Sequence, residues 1–199
     1  GTMGLPFERN RQRGMYTSID AGKTWQQTLF VSEQAGIIDL VIDPRKPNVL
    51  YASSWTRIRN NQESIIAGPD SGIFKSTDSG KTWSKLTGGG LPIEPMGRIG
   101  LCFYSGSTDL LFAVYIDVNS NLKNIYRSAD AGSTWEPIVS GQSNLPSSVM
   151  GGLGWYFGKI KVNPKNPAEL YLLSVSLWKS SDGGKMWEAI GESEIHSDK

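Results

Sequence analysis

The chain has 199 residues, a formal net charge of +1, one cysteine and one histidine. Near-neutrality removes the electrostatic case for nucleic acid or an anionic membrane surface. A lone thiol cannot close an internal disulfide, and no apolar run is long enough for a transmembrane helix.

In chain order, residues 1–13, "GTMGLPFERNRQR", are polar. They read as a tag or leader remnant and a polar entry holding one strand at most. Residues 14–30 follow as two strand-forming runs, "GMYTS" and "WQQTLF", around the connection "SIDAGKTW". Apolar and aromatic runs flanking a polar, Gly-containing connection predict a β-hairpin.

Residues 31–87 carry four such runs. "GIIDLVI" and "VLYASSW" are joined by "DPRKPN", and "GIFKS" and "WSKLT" by a second box, "STDSGKTW". Residues 88–139 repeat the order with "RIGLCFY", "LLFAVYI", "NIYRS" and "WEPIV", and residues 140–191 with "GKIKVN", "LYLLSV", "LWKSS" and "WEAI". Residues 192–199 read as the start of a next, truncated segment. Each unit is four short antiparallel strands, A to D, and a four-stranded unit repeated every 40–50 residues or so predicts β-propeller blades. The expected architecture is therefore all-β, with about three and a half blades of a larger propeller.

The box recurs at Ser18, Ser76, Ser128 and Ser180, at intervals of 58, 52 and 52 residues. Its pattern is Ser-x-Asp-x-Gly-x-Thr-Trp. The copies comprise Ser18, Asp20, Gly22, Thr24 and Trp25; Ser76, Asp78, Gly80, Thr82 and Trp83; Ser128, Asp130, Gly132, Thr134 and Trp135; and Ser180, Asp182, Gly184 and Trp187, with Met186 in place of Thr. Gly-Lys-Thr in two copies suggests a phosphate loop, but the glycine required five positions earlier is Thr17 or Lys75. A calcium loop needs several oxygen ligands, and each box offers one carboxylate. The boxes are read as structural turns. The Asp accepts nearby backbone N–H groups, the Gly permits positive φ, and the Trp is an anchor expected to be buried in every copy.

These motifs resemble the Asp-box (BNR) repeats of sialidases, of xyloglucan-cleaving glycoside hydrolases and of sortilin-type propellers. "DLVIDPRKPNVLYASSW", "SGIFKSTDSGKTW", "GRIGL" and "LWKSSDGGKMW" are most similar to bacterial exported proteins of the sortilin-like or glycosyl-hydrolase BNR-repeat kind. The resemblance covers the chain after about Arg13. It implies a propeller fold and an extracellular or periplasmic location, while the fold itself hosts unrelated activities.

Strand polarity fixes where function could lie. The A–B and C–D connections share one face of a propeller, and the B–C and D–A connections share the other. The long loops 56–70, 88–96 and 140–157 all fall on the second face. Trp55, Arg57, Arg59, Trp155 and Tyr156 are therefore the candidate ligand contacts, suited to a polysaccharide or a protein segment. The main reading is a non-catalytic binding or scaffold module, joined to the remainder of its propeller. The alternative is part of a polysaccharide-cleaving glycoside hydrolase, which needs two carboxyl groups across a cleft. Glu63, Asp70 and Glu94 lie on that face without a spacing that pairs them, so no catalytic residue is assigned. Arg57, Arg59 and Arg98 do not match a sialidase arginine cluster. His196 with Asp198 could begin a metal or acid–base site, but reads as a terminal loop. Cys102, inside an apolar run, is expected in the core. No metal and no cofactor is expected.

Overall fold

The computed structural model of the chain describes residues 1–107 and 109–190. Strands β1 (Met15–Thr17) and β2 (Gln26–Leu29) form the first hairpin. β3 (Ala35–Ile42) and β4 (Leu50–Thr56) follow, then a small hairpin of β5 (Ile58–Arg59) and β6 (Ser64–Ile65), then β7 (Gly72–Ser76) and β8 (Ser84–Lys85). The next set is β9 (Ile99–Phe103), β10 (Leu111–Ile116), β11 (Leu122–Ser128) and β12 (Glu136–Pro137). The last is β13 (Lys159–Asn163), β14 (Asn166–Leu173), β15 (Leu177–Ser180) and β16 (Glu188–Ile190). Three four-stranded antiparallel sheets result, ordered β3-β4-β7-β8, β9-β10-β11-β12 and β13-β14-β15-β16, each strand beside its sequence neighbours except for the inserted hairpin. These are blades of a β-propeller. The one helical element among the described residues is a single 3-10 turn, Ser147–Met150.

The register shows the repeat residue by residue. Tyr51 pairs with Lys75, Phe112 with Arg127 and Tyr171 with Lys179, at equivalent places in successive sheets. Apolar side chains fill the space between neighbouring sheets. Tyr51 and Ile73 of one sheet pack with Ile99, Leu111 and Trp135 of the next. Phe112, Ile125 and Cys102 of that sheet pack with Ile160, Leu170 and Trp187 of the last. Cys102 is a buried free thiol, and burial raises its pKa.

The inner strands are tied by a group that sequence reasoning left as one polar residue in an apolar run. Asp39 sits at a register shift in β3. Its Oδ2 accepts the Leu101 N–H of β9 at 3.0 Å and pairs with Lys159 Nζ of β13 at 2.9 Å. One carboxylate thus links three sheets. The backbones also approach closely there: a Cβ on Gly100 would lie 2.2 Å from the Gly158 carbonyl oxygen.

The four boxes have the expected geometry. In the second, Ser76 Oγ donates to Asp78 Oδ1 at 2.8 Å and accepts the Gly80 N–H at 2.9 Å. Asp78 Oδ1 also accepts the N–H groups of Lys81 and Thr82, and Oδ2 accepts the Thr82 hydroxyl at 2.6 Å. Trp83 Nε1 donates back to the Gly80 carbonyl at 3.1 Å. Two successive residues take positive φ in every copy, Ala21–Gly22, Ser79–Gly80, Ala131–Gly132 and Gly183–Gly184. The reversal needs that left-handed pair, and a glycine always takes its second place. The Thr hydroxyl and its backbone N–H hold Asp20, Asp78 and Asp130 down at about 2. Asp182, facing Met186, is lowered first by the Met186 N–H and lacks the hydroxyl bond.

The expectation of four buried box tryptophans is corrected. Trp135 and Trp187 are 5% and 3% exposed, Trp83 is half-buried, and Trp25 is 62% exposed. Three of the four rings pack on the sheet that precedes their own. Trp135 and Trp187 have a full sheet there, and Trp83 meets Met15, Leu29 and Val31 of the first hairpin. Trp25 belongs to that hairpin and has no such surface among the described residues. Its Nε1 still closes the turn on the Gly22 carbonyl at 3.1 Å.

Residues 1–13 pack rather than trail. Thr2 bridges Gly14, and its carbonyl also accepts the Ile37 N–H at 3.1 Å. Arg13 is fully buried and donates to the carbonyls of Gln34, Leu5 and Glu8. The third A–B connection is tighter than expected, because β14 begins at Asn166 and Asn163 Oδ1 accepts the Lys165 N–H.

Candidate functional site

On the long-loop face, loop 56–70 is partly regular. Ile58 is buried and pairs with Ile65, while Asn60 Oδ1 accepts the N–H groups of Gln62 and Glu63 to close the β5–β6 tip. Segment 1–13 braces the outside of this hairpin. Arg59 N donates to Pro6 O, Asn60 Nδ2 to Phe7 O, and Arg9 grips Glu63 through two hydrogen bonds.

Four of the five expected contact residues form a single stack with Arg98. The Arg98 guanidinium lies 5.9 Å from the Trp55 ring centre, Arg57 lies 5.5 Å from Trp55 and 5.3 Å from Trp155, and Arg59 lies 5.7 Å from Trp155. Each guanidinium thus lies over an indole that attracts it. Tyr156 continues the aromatic run edge-to-face at 5.7 Å from Trp155.

Their roles differ by burial. Trp55 is 6% exposed and its Nε1 donates to the Ile66 carbonyl, so it is a wall and not a contact surface. That corrects its expected role: the strand-end position that suggested a platform also covers it with Arg57 and Arg98. Arg57 is equally buried, donating to Ile58 O, Ile65 O and Ser64 Oγ. Burial lowers its pKa, with repulsion from Arg59 second. Arg98 donates to the Tyr156 carbonyl and is also lowered by burial. Arg59 and Tyr156 are exposed, and Trp155 is half-buried.

Arg57, Arg59, Asn60, Ser64 and Trp155 open onto a cleft of about 470 Å3 together with Asn119 and Ser120, a size suited to a small ligand. Asn119 and Ser120 come from the short β10–β11 turn, where Asp117 Oδ1 accepts the N–H groups of Asn119 and Asn121. Sequence reading missed them. The only signal was the Asp-x-Asn-Ser-Asn turn chemistry, which says nothing about what the turn faces.

The acidic candidates do not converge there. Glu63 is held by Arg9, and Glu94 by Lys123 at 2.6 Å. The cleft lining contains neither these nor Asp70. His196 and Asp198 lie outside the described residues. A larger groove of about 780 Å3 runs on the box side between the third and fourth sheets, with Arg127 and Glu136 paired to each other at its wall. Among the described residues, no group of His, Cys, Asp and Glu could hold a metal ion, and no helix is long and apolar enough to cross a membrane.

No family model matches the sequence. The chain is 25% identical over 175 residues to xyloglucanase Xgh74A of Acetivibrio thermocellus, covering 78% of this chain and 20% of that protein. It is 22% identical to a xyloglucanase of a Paenibacillus species, covering 96% and 25%. The chain thus spans about a quarter or less of the curated relatives it matches. Among solved structures, the Niastella koreensis GH74 enzyme superposes with a TM-score of 0.66 at 20% identity, over 90% of this chain and 27% of that one. The Xanthomonas campestris GH74 xyloglucanase gives 0.66 at 16%, over 90% and 26%. The chain shares the blade architecture of these glycoside hydrolases.

Proposed function

We propose that this chain supplies a saccharide-binding face within a β-propeller glycoside hydrolase acting on polysaccharide of the xyloglucan class. The carrying observation is the cleft. Three connections from successive sheets bring an indole, two guanidiniums and two carboxamides to one opening, on rigid strand ends. A half-buried indole offers a platform for a pyranose ring, and the Asn119 amide offers donors and an acceptor for hydroxyls, with one further N–H from Asn60, whose oxygen and other N–H are spent on Gln62, Glu63 and Phe7. The curated relatives, all xyloglucanases, favour a polysaccharide substrate over a purely structural role.

The chain's part in this reading is binding. Hydrolysis of a glycosidic bond uses two carboxyl groups flanking it, and the cleft lining carries none. A polymeric substrate also implies action outside the cytoplasm. The finer assignment to BNR-repeat proteins rests on the box motif and its turn geometry. The test is calorimetry with xyloglucan oligosaccharides, alongside a reducing-end assay on the polymer. Saccharide binding that is lost in Trp155→Ala, without turnover, is the expected result. Absence of binding to any neutral glucan would overturn it.

A further inference from the structure

The charge of the cleft is not what a neutral glucan requires. Its lining holds two arginines and no carboxylate. The guanidinium of Arg57 donates only to neutral acceptors, the carbonyls of Ile58 and Ile65 and the hydroxyl of Ser64. Neither Arg57 nor Arg59 belongs to an ion pair among the described residues. The acid on the same hairpin, Glu63, is engaged on both oxygens by Arg9. Two cations set over one indole repel each other, and the cost is relieved by an anion beside them.

Ser120 is the second observation. It is 3% exposed and lines the cleft, and its hydroxyl has no hydrogen-bond partner. Buried hydroxyls are nearly always bonded, so an unpartnered one in a ligand-sized opening signals a missing acceptor or donor. Its backbone is fixed at φ +64, with its N–H on Asp117 O and its carbonyl accepting the Gly154 N–H at 3.0 Å. The residue's backbone is therefore held in place, on the wall shared with Asn119.

We propose that the cleft binds the carboxylate of a uronic-acid residue in an acidic saccharide, with Arg57 and Arg59 as its cationic partners and Ser120 Oγ as a donor. The inference rests on the saccharide reading of the same cleft and names an acidic sugar residue as its preferred ligand over a neutral one. Guanidiniums match a carboxylate in shape as well as charge. Trp155 then carries the sugar ring, and the Asn119 amide and the remaining Asn60 N–H face its hydroxyls. A bare anion would leave the indole and both amides unused, which is why a uronate fits better than free carboxylate or phosphate.

The test is calorimetry on the full chain at low and high salt. The probes are a galacturonate trisaccharide, its methyl ester, a neutral xyloglucan heptasaccharide, acetate, sulfate and an unrelated peptide with a free C-terminal carboxylate. The acidic trisaccharide is expected to bind about tenfold or more tighter than its ester, and to weaken with salt. Arg59→Gln should remove about tenfold of that affinity. Ser120→Ala should weaken binding at an unchanged or higher melting temperature, since its buried hydroxyl has no partner to lose. Equal affinity for acid and ester, or no effect of Arg59→Gln, overturns the uronate assignment. Acetate or sulfate binding as tightly as the trisaccharide overturns it in favour of a simple anion site, and tighter peptide binding in favour of a protein ligand. Heptasaccharide binding without trisaccharide binding sinks this inference and leaves the xyloglucan reading standing. The reverse pattern keeps the uronate and removes the xyloglucan class, and no saccharide binding at all removes both.

Discussion

Trp135→Ala and Trp25→Ala remove the same side chain from equivalent turns, yet the structure gives them very different costs. A covered indole buries about 200 Å2, which at about 25 cal/mol per Å2 is about 5 kcal/mol. Trp135 is 5% exposed and keeps nearly all of that, whereas Trp25 is 62% exposed and keeps about two-fifths, or about 2 kcal/mol. Both figures are upper bounds, because a real unfolded chain already covers some apolar surface. The difference, about 3 kcal/mol, is better determined, and the cavity left beside Tyr51 and Ile73 adds to the Trp135 side. Urea unfolding followed by far-UV circular dichroism would measure it from the two midpoints at a common slope. Losses equal to within about 0.5 kcal/mol, near the limit of such additivity arguments, would refute the account in which the preceding sheet, and not the turn itself, determines what each tryptophan contributes.

Three further outcomes are expected. Asp78 has a folded pKa of about 2 against 3.8 for an ordinary aspartate, so its stabilisation is present above about pH 4 and is lost as pH falls through about 2. Melting temperatures measured down that range should fall for the wild type and fall less steeply for Asp78→Asn, which should already be lower at neutral pH. Met186→Thr should give Asp182 the hydroxyl bond that Asp20, Asp78 and Asp130 have, raising the melting temperature by a few degrees at neutral pH. Gly100→Ala would drive a Cβ to 2.2 Å from the Gly158 carbonyl and should cost about 1–3 kcal/mol or more by overpacking, whereas Gly141→Ala, with open space around it, should be near neutral in a thermal melt.

The parts of the fold legible in the sequence were those written in local pattern. The boxes recur as strings, their Ser, Asp, Gly and Thr bond within the string, and the flanking runs alternate as strands do. The convergence of Arg57, Arg59 and Trp155 on one face was legible too, because strand polarity alone assigns each loop to a side. What stayed hidden depends on partners far away in the chain. Arg13 is satisfied by carbonyls, which every residue carries, so no motif marks it. Asp39 meets Leu101 and Lys159 across two sheets. The four box tryptophans are identical as text and differ only in what stands before their blade. Trp55 looked like a platform for the same reason: nothing local shows that Arg57 and Arg98 close over it.

That asymmetry makes a joint between blades directional, like a plug and a socket. At the joint between the second and third sheets, the Tyr51 hydroxyl and Lys75 Nζ each donate to the Ala131 carbonyl at 2.7 Å, while Trp135 fills the gap beneath. Tyr171 and Lys179 stand at the same register positions in the last sheet, and Ala21 and Trp25 at the matching ones in the first hairpin. Tyr171 with Lys179 thus repeats the socket, and Ala21 with Trp25 repeats the plug. The joint specifies which edge mates with which and carries no count of units.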